Sequence, residues 1–248
     1  MGDISEFPLK WRLFLKAYPW RRIDPVPWTR LRKPLAQCKL ALVSSAGFVL
    51  PGQAPFDAGI KGGDVSFREI PSDADVKTLV ESHRSEAFDH TDMNVDRNLA
   101  FPIDRVRELV ARGRIGAVNR RHLSCMGSIT APGRLLRDTL PAAAGLLAED
   151  AVDVALLVPV CPVCNQTMCL VAAELERRGI TTVVIQLLRL VAENVHPPRA
   201  LFVPFKHGHP LDAPNEPARQ HAVIEAALKL LEDATLKPPA LVDFRPGS

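Results

Sequence analysis

Short apolar runs rich in Val and Leu, each followed by a turn or a helical pattern, constrain this chain more than any other feature. CKLALVS (38–44), VDVALLVPV (152–160), ITTVVI (180–185) and ALFVPF (200–205) are too short for self-burying helices, and VDVALLVPV carries no polar alternation. Continuous apolar runs of this length fit strands buried on both faces, as in a parallel sheet covered by helices. The helices are supplied between them. IDRVRELVARG (103–113) places Ile103, Val106, Leu109 and Val110 on one face, with Pro102 ahead of it and Gly113 at its end. RLLRDTLPAAAGLLAED (134–150) reads as a helix bent near Pro141 and Gly145, QTMCLVAAELERRG (166–179) as a helix stopped by Gly179, and 217–235 as the last helix. The expected fold class is α/β: a doubly wound, mainly parallel sheet with helices on both faces. In such sheets functional groups collect at the carboxyl ends of the strands.

Residues 1–37 form an N-terminal arm rich in Pro and Arg that holds all three Trp residues, and 38–248 form a single α/β domain. A long irregular insertion at about 48–100 contains a short strand, VSFREIP, and a polar loop, HRSEAFDHTDMNVDRN. Loops of this length in compact domains are often functional. The 248 residues, 47% of them hydrophobic, suffice for a packed core. Net charge is only +3, spread along the chain except in the basic arm, so nucleic acid is not an expected partner. The arm is expected to drape over its own domain or a neighbouring subunit. No segment reaches the roughly 18–20 apolar residues of a membrane span, and the N-terminus lacks a signal-peptide pattern, so a cytoplasmic location is expected. Five cysteines, an odd number at irregular spacing, argue for reduced thiols and make any disulfide transient.

The sharpest motif is Cys161-Pro162-Val163-Cys164, between a buried strand and a helix start. This spacing lets two thiols reach disulfide distance, while the helix N-terminal field lowers a thiol pKa. Cys161 is the expected attacking thiolate and Cys164 the resolving thiol. No second cysteine pair completes a zinc site, and no bound metal is expected. His209, in KHGHP after ALFVPF, is the candidate proton carrier, whereas His207 is expected to be a solvated loop residue. The loop with His83, Asp89, His90, Asp92 and Asp96 matches no metal spacing; His90 and Asp92 are candidate substrate-binding residues. Ser45 in SSAG and Gly127 in MGS sit on small-residue turns where a ligand can approach backbone amides. Asn165, next to the cysteine pair, and Arg68, whose fork suits a carboxylate, complete the substrate-binding candidates.

With these residues in view, 26–220 resembles the selenoprotein B family of glycine, sarcosine, betaine and D-proline reductases. The pattern is most like the D-proline branch. The resemblance rests on GDVSFREIP (63–71), DHTDMNVDRNLAFPIDRVRELV (89–110), the turn MGS and VPVCPVCNQTMCLVAAELERRGITTVVI (158–185). HGHPLDAPN is more similar to the glycine and betaine branch. The family commonly has selenocysteine at the first position of the pair, so the resemblance implies a cysteine-containing variant with its nucleophile at Cys161. It also implies reductive cleavage of a carbon–heteroatom bond, C–N first among them, in a small amino-acid-like substrate. No bound cofactor is expected in this chain. An external thiol or thioredoxin-like protein would be the electron donor, and a separate pyruvoyl-containing subunit would bind the substrate amine. A homo-oligomer is expected as well. Two alternatives stay open: a racemase- or lyase-like enzyme on the same sheet, and a non-catalytic redox-sensing or complex subunit.

Overall fold

The structure, a computed structural model, describes residues 2–245. Its elements in chain order are α1 (Leu9–Ala17), β1 (Lys39–Ser44), β2 (Phe48–Val49), β3 (Phe67–Pro71), β4 (Val80–Glu81), α2 (Thr91–Val95), α3 (Ile103–Ala111), β5 (Ala117–Val118) and β6 (Arg121–Cys125). There follow α4 (Leu140–Glu149), β7 (Val154–Val158), α5 (Pro162–Arg177), β8 (Thr181–Gln186), α6 (Arg189–Val195), β9 (Arg199–Phe202), α7 (Pro217–Glu232) and β10 (Ala240–Asp243). The main sheet runs β10-β9-β8-β7-β1-β6-β3, with β5 also on β1, and every pairing is parallel except β3 against β6. An α/β fold with a mainly parallel sheet is what the apolar runs require.

The alternation of β1 and β7 explains the layers. Leu40, Leu42, Val154, Leu156 and Val158 enter one core, and Ala41, Val43, Ala155 and Leu157 the other. The first core is closed by Ile103, Val106 and Leu109 of α3 with Val223, Ala227 and Leu228 of α7. The second is closed by α4, α5 and α6, and by Phe7 and Leu15 from the N-terminal segment. Each fully buried Leu contributes about 2 kcal/mol by area removed from water.

Three features differ from the sequence expectation. The bend in the fourth helix comes before Pro141, where Leu135–Thr139 form a wider π turn leading into α4, while Gly145 lies inside the helix. A π turn gives room to a proline that cannot donate to the preceding turn. The short helix α6 and edge strand β10 lack a strong pattern of their own and exist through packing on β8 and β9. Within the insertion, β2 and β4 pair antiparallel, tying Phe48 to Glu81. Among the described residues no helix is long and apolar enough to cross a membrane.

From β1 the chain passes to β6 on one side, whereas β7 starts a series running to β10 on the other. The ends of β1, β6 and β7 therefore meet at a switch in winding direction, where open α/β sheets bind ligands.

Candidate active site

Cys161 follows β7 and caps α5: its backbone is extended, Pro162 takes the first helical position, and the Cys164 N–H donates to Cys161 Sγ at 3.1 Å. That bond satisfies one of the otherwise unpaired N–H donors of a helix start and places sulfur in the positive end of the helix field. Cys161 and Cys164 are joined as a disulfide, their Cα atoms 4.9 Å apart, and both residues are fully buried.

The candidates Ser45, Gly127 and Asn165 all converge on this pair, through its scaffold. Ser45 N–H donates to Val158 O, and its hydroxyl accepts from Val160 N–H at 3.1 Å, stitching β1 to the strand that presents Cys161. Gly127 N–H donates to Ser45 O at 3.2 Å, and Thr167 Oγ1 of α5 donates to Gly127 O at 2.8 Å. A Cβ at 127 would stand 2.5 Å from Ser45 Cβ and 3.0 Å from Cys164 Sγ, so the close approach admits only glycine without displacement. Asn165 Nδ2 donates to Cys161 O at 2.9 Å, while its Oδ1 accepts from Leu187 N–H at 2.8 Å. The amide locks the Cys161 turn to the end of β8.

Arg68 is occupied differently. Its Nε donates to Ala54 O and its Nη2 to Pro55 O, at 2.8 and 3.0 Å, with the guanidinium carbon 4.3 Å over the Phe56 ring. The fork expected to meet a substrate carboxylate instead secures the insertion, because neighbouring carbonyls offer it partners locally. His90 is engaged as well: it hydrogen-bonds Glu81 and Ser85 O and stacks on Phe88 at 4.0 Å. Asp92 holds His209 Nε2 at 2.7 Å.

His207 is buried rather than solvated. Its Nδ1 hydrogen-bonds Glu6 from the N-terminal segment, and its Nε2 lies 3.4 Å from Asn165 Nδ2. A partner 201 residues away carries no signal in local sequence. A cleft of about 680 Å³ opens beside it, bordered by Glu6, Trp11, Asp92, Lys206, His207 and His209. A smaller recess of about 250 Å³ reaches Pro162 and Val163 under Trp11 and Phe14 of α1. The arm thus covers the edge of the sheet that bears the sulfurs. A third cavity, about 370 Å³, lies by Trp28, Arg32 and Arg199 at the start of β9, toward the amino ends of the strands.

The sequence missed one sulfur contact, His83 Nε2 at 3.4 Å from Cys164 Sγ. His83 Nδ1 accepts the Ser85 N–H at 3.1 Å, which places the neutral ring's proton on Nε2. Burial, then the charges of His90 and Arg84, push this imidazole down to about 3. The ligating atoms of His83, Cys161 and Cys164 lie within 4.8 Å of one another, a spacing that a soft metal ion tolerates. The donor set does not fit one: a ligating Nε2 needs its Nδ1–H to donate, and here Nδ1 accepts. It fits a hydrogen bond to sulfur.

The chain is similar to known proteins. The profile of the family described as glycine/sarcosine/betaine reductase selenoprotein B matches residues 8–159. D-proline reductase subunit gamma of Acetoanaerobium sticklandii is 34% identical over 84% of this chain and 85% of its own. Glycine reductase complex component B subunit gamma of Carboxydothermus hydrogenoformans is 27% identical over 92% of this chain and 53% of its own. Sarcosine reductase complex component B subunit beta of Peptoclostridium acidaminophilum is 27% identical over 88% of this chain and 51% of its own. The chain thus spans about half the length of the last two relatives. No solved structure matches it significantly.

Proposed function

The chain belongs to the glycine/sarcosine/betaine reductase selenoprotein B family, and on that premise we propose that it is the thiol-bearing subunit of an amino-acid reductase complex. Its reaction is reductive cleavage of a C–N bond in a small amino-acid-like substrate. The observation that carries this is the Cys161–Cys164 pair, capped on α5 at the switch point of the sheet.

The Cys161 thiolate attacks the carbon, and the C–N bond breaks as the amine leaves with the bonding pair and takes a proton. Cys164 thiolate then attacks Cys161 Sγ; the disulfide forms and the carbon departs with its pair to be protonated. The substrate gains two electrons and two protons, and the pair loses them. An external dithiol, small or thioredoxin-like, restores the thiols. A pyruvoyl-containing partner subunit would hold the substrate amine. Glycine, sarcosine and D-proline, named for the relatives, are the first substrates to try. Two thiols on one helical turn cannot flank a carbon from opposite faces, which argues against a racemase.

Intact-protein mass spectrometry with substrate and partner subunits tests the scheme. Cys161→Ser should abolish substrate-dependent thiol consumption, since its hydroxyl has no comparable anionic form near pH 7. Cys164→Ser should stall with an adduct on Cys161. Full activity in both variants would sink the mechanism, and an adduct on Cys164 in Cys161→Ser would reverse the roles.

A further inference from the structure

The dithiol chemistry leaves one sulfur neighbour, His83, without a role. Its position is built from the backbone. Gly47, with φ +68°, accepts the Ser82 N–H through its carbonyl at 2.9 Å and donates its own N–H to Cys125 O. A Cβ on Gly47 would stand 3.1–3.2 Å from the backbone of Ser82 and His83. The pairing of Phe48 with Glu81 brings this segment to the end of β1, and Phe88 packs edge-on against the imidazole at 5.1 Å. The ring is thus held beside Cys164 Sγ with Nε2–H as its available donor.

We propose that His83 is a catalytic residue of the dithiol, a neutral Nε2–H donor that stabilises the thiolate of Cys164. When an external dithiol attacks Cys161 Sγ, the S–S bond breaks and Cys164 leaves with the bonding pair. His83 donates to the charge that then develops, and the donor's second thiolate displaces Cys161 to complete the two-electron transfer. In the oxidative direction the same bond keeps Cys164 ionised for its attack on Cys161 Sγ. A charge-assisted bond of this kind is roughly twice as strong as a neutral one. The low imidazole pKa, about 3, keeps the ring uncharged at neutral pH.

The titratable groups around this contact are His90 and Arg84 from the same segment, Glu81 behind His90, and Cys161 from α5. β1 and the 126–128 turn present Ser45 and Gly127, which do not titrate in this range.

The proposal deepens the dithiol scheme and rests on it, but its readouts need no substrate. In a Cys161→Ser background the thiolate absorbance of Cys164 is followed between about pH 5 and pH 10. Burial pushes Cys38, Cys125 and Cys169 up, the first two to about 11 and about 12, so they stay silent there. Adding His83→Ala should raise the Cys164 pKa by about one unit or more, and His83→Gln, which retains an N–H donor, by less. With both cysteines present, dithiothreitol should reduce the disulfide about tenfold more slowly in His83→Ala. An unmoved Cys164 pKa or reduction rate in folded His83→Ala protein overturns the assignment. Nitrogen NMR of the unmutated protein is independent of folding defects: an Nδ1–H tautomer, or a ring titrating between about pH 5 and pH 8, also overturns it. Loss of amino-acid turnover with these readouts intact would count against the substrate scheme alone.

Discussion

Five cysteines share one chain but not one reactivity. Cys125 and Cys169 are raised by burial alone or burial first, and Cys38 by burial and then Asp153. Cys161 is buried too, but it alone of these four sulfurs accepts the N–H of a helix start. Brief iodoacetamide treatment of the reduced protein at neutral pH should therefore label Cys161 before those three, as read by peptide mapping. First labelling of Cys38 or Cys169 would contradict the capping argument. The pair and its order at the helix start were legible because four consecutive residues set them. His83 was seen only as a member of a polar loop, since its partner lies 81 residues away. Arg68 was legible as a bidentate fork but not as one already occupied, because the carbonyls of Ala54 and Pro55 reach it only once the insertion folds back.

At the scale of elements, one carboxylate ties the end of α4 to β6. Asp150 accepts from Asn119 Nδ2 at 3.0 Å, Arg120 Nε at 2.9 Å and Arg121 Nε at 2.6 Å, while Arg121 also reaches Glu69 on β3. Hydrogen bonding to Arg121, partly opposed by burial, holds the Asp150 carboxyl far below the usual carboxylate range. A depressed folded pKa contributes stability that is present above the unfolded value, about 3.9, and is lost as pH falls through the folded one. Asp150→Asn should cost about 2–3 kcal/mol at neutral pH, and the gap from the native chain should close in acid below about pH 4. Urea unfolding across pH measures it. A gap independent of pH would mean that packing, not charge, is what the substitution removed.

Across the whole molecule, the arm is seated through Trp28 and Thr29 on a buried ion pair between β9 and α5. Arg199 of β9 reaches Glu176 of α5 at 3.1 Å, and its guanidinium carbon lies 3.8 Å over the Trp28 ring; Glu176 also accepts from Thr29 N–H and from Thr182 N–H. Both charged side chains are at most 2% exposed, so removing one strands the other in a medium that cannot solvate it. Arg199→Met should lower stability by about 3–5 kcal/mol in denaturant unfolding, and adding Glu176→Gln should recover part of the loss. A double variant no better than the single would show that the cation–π packing on Trp28 carries the tie. By itself the sequence determined the α/β class and the strand end that carries the cysteine pair, because burial on both faces and helix capping are written in neighbouring residues. Only the tertiary structure decided that β10 closes the far edge, that Glu6 reaches His207, and that an imidazole faces Cys164. Those contacts join segments far apart in the chain, and their partners are chosen by packing and strand register rather than by local preference.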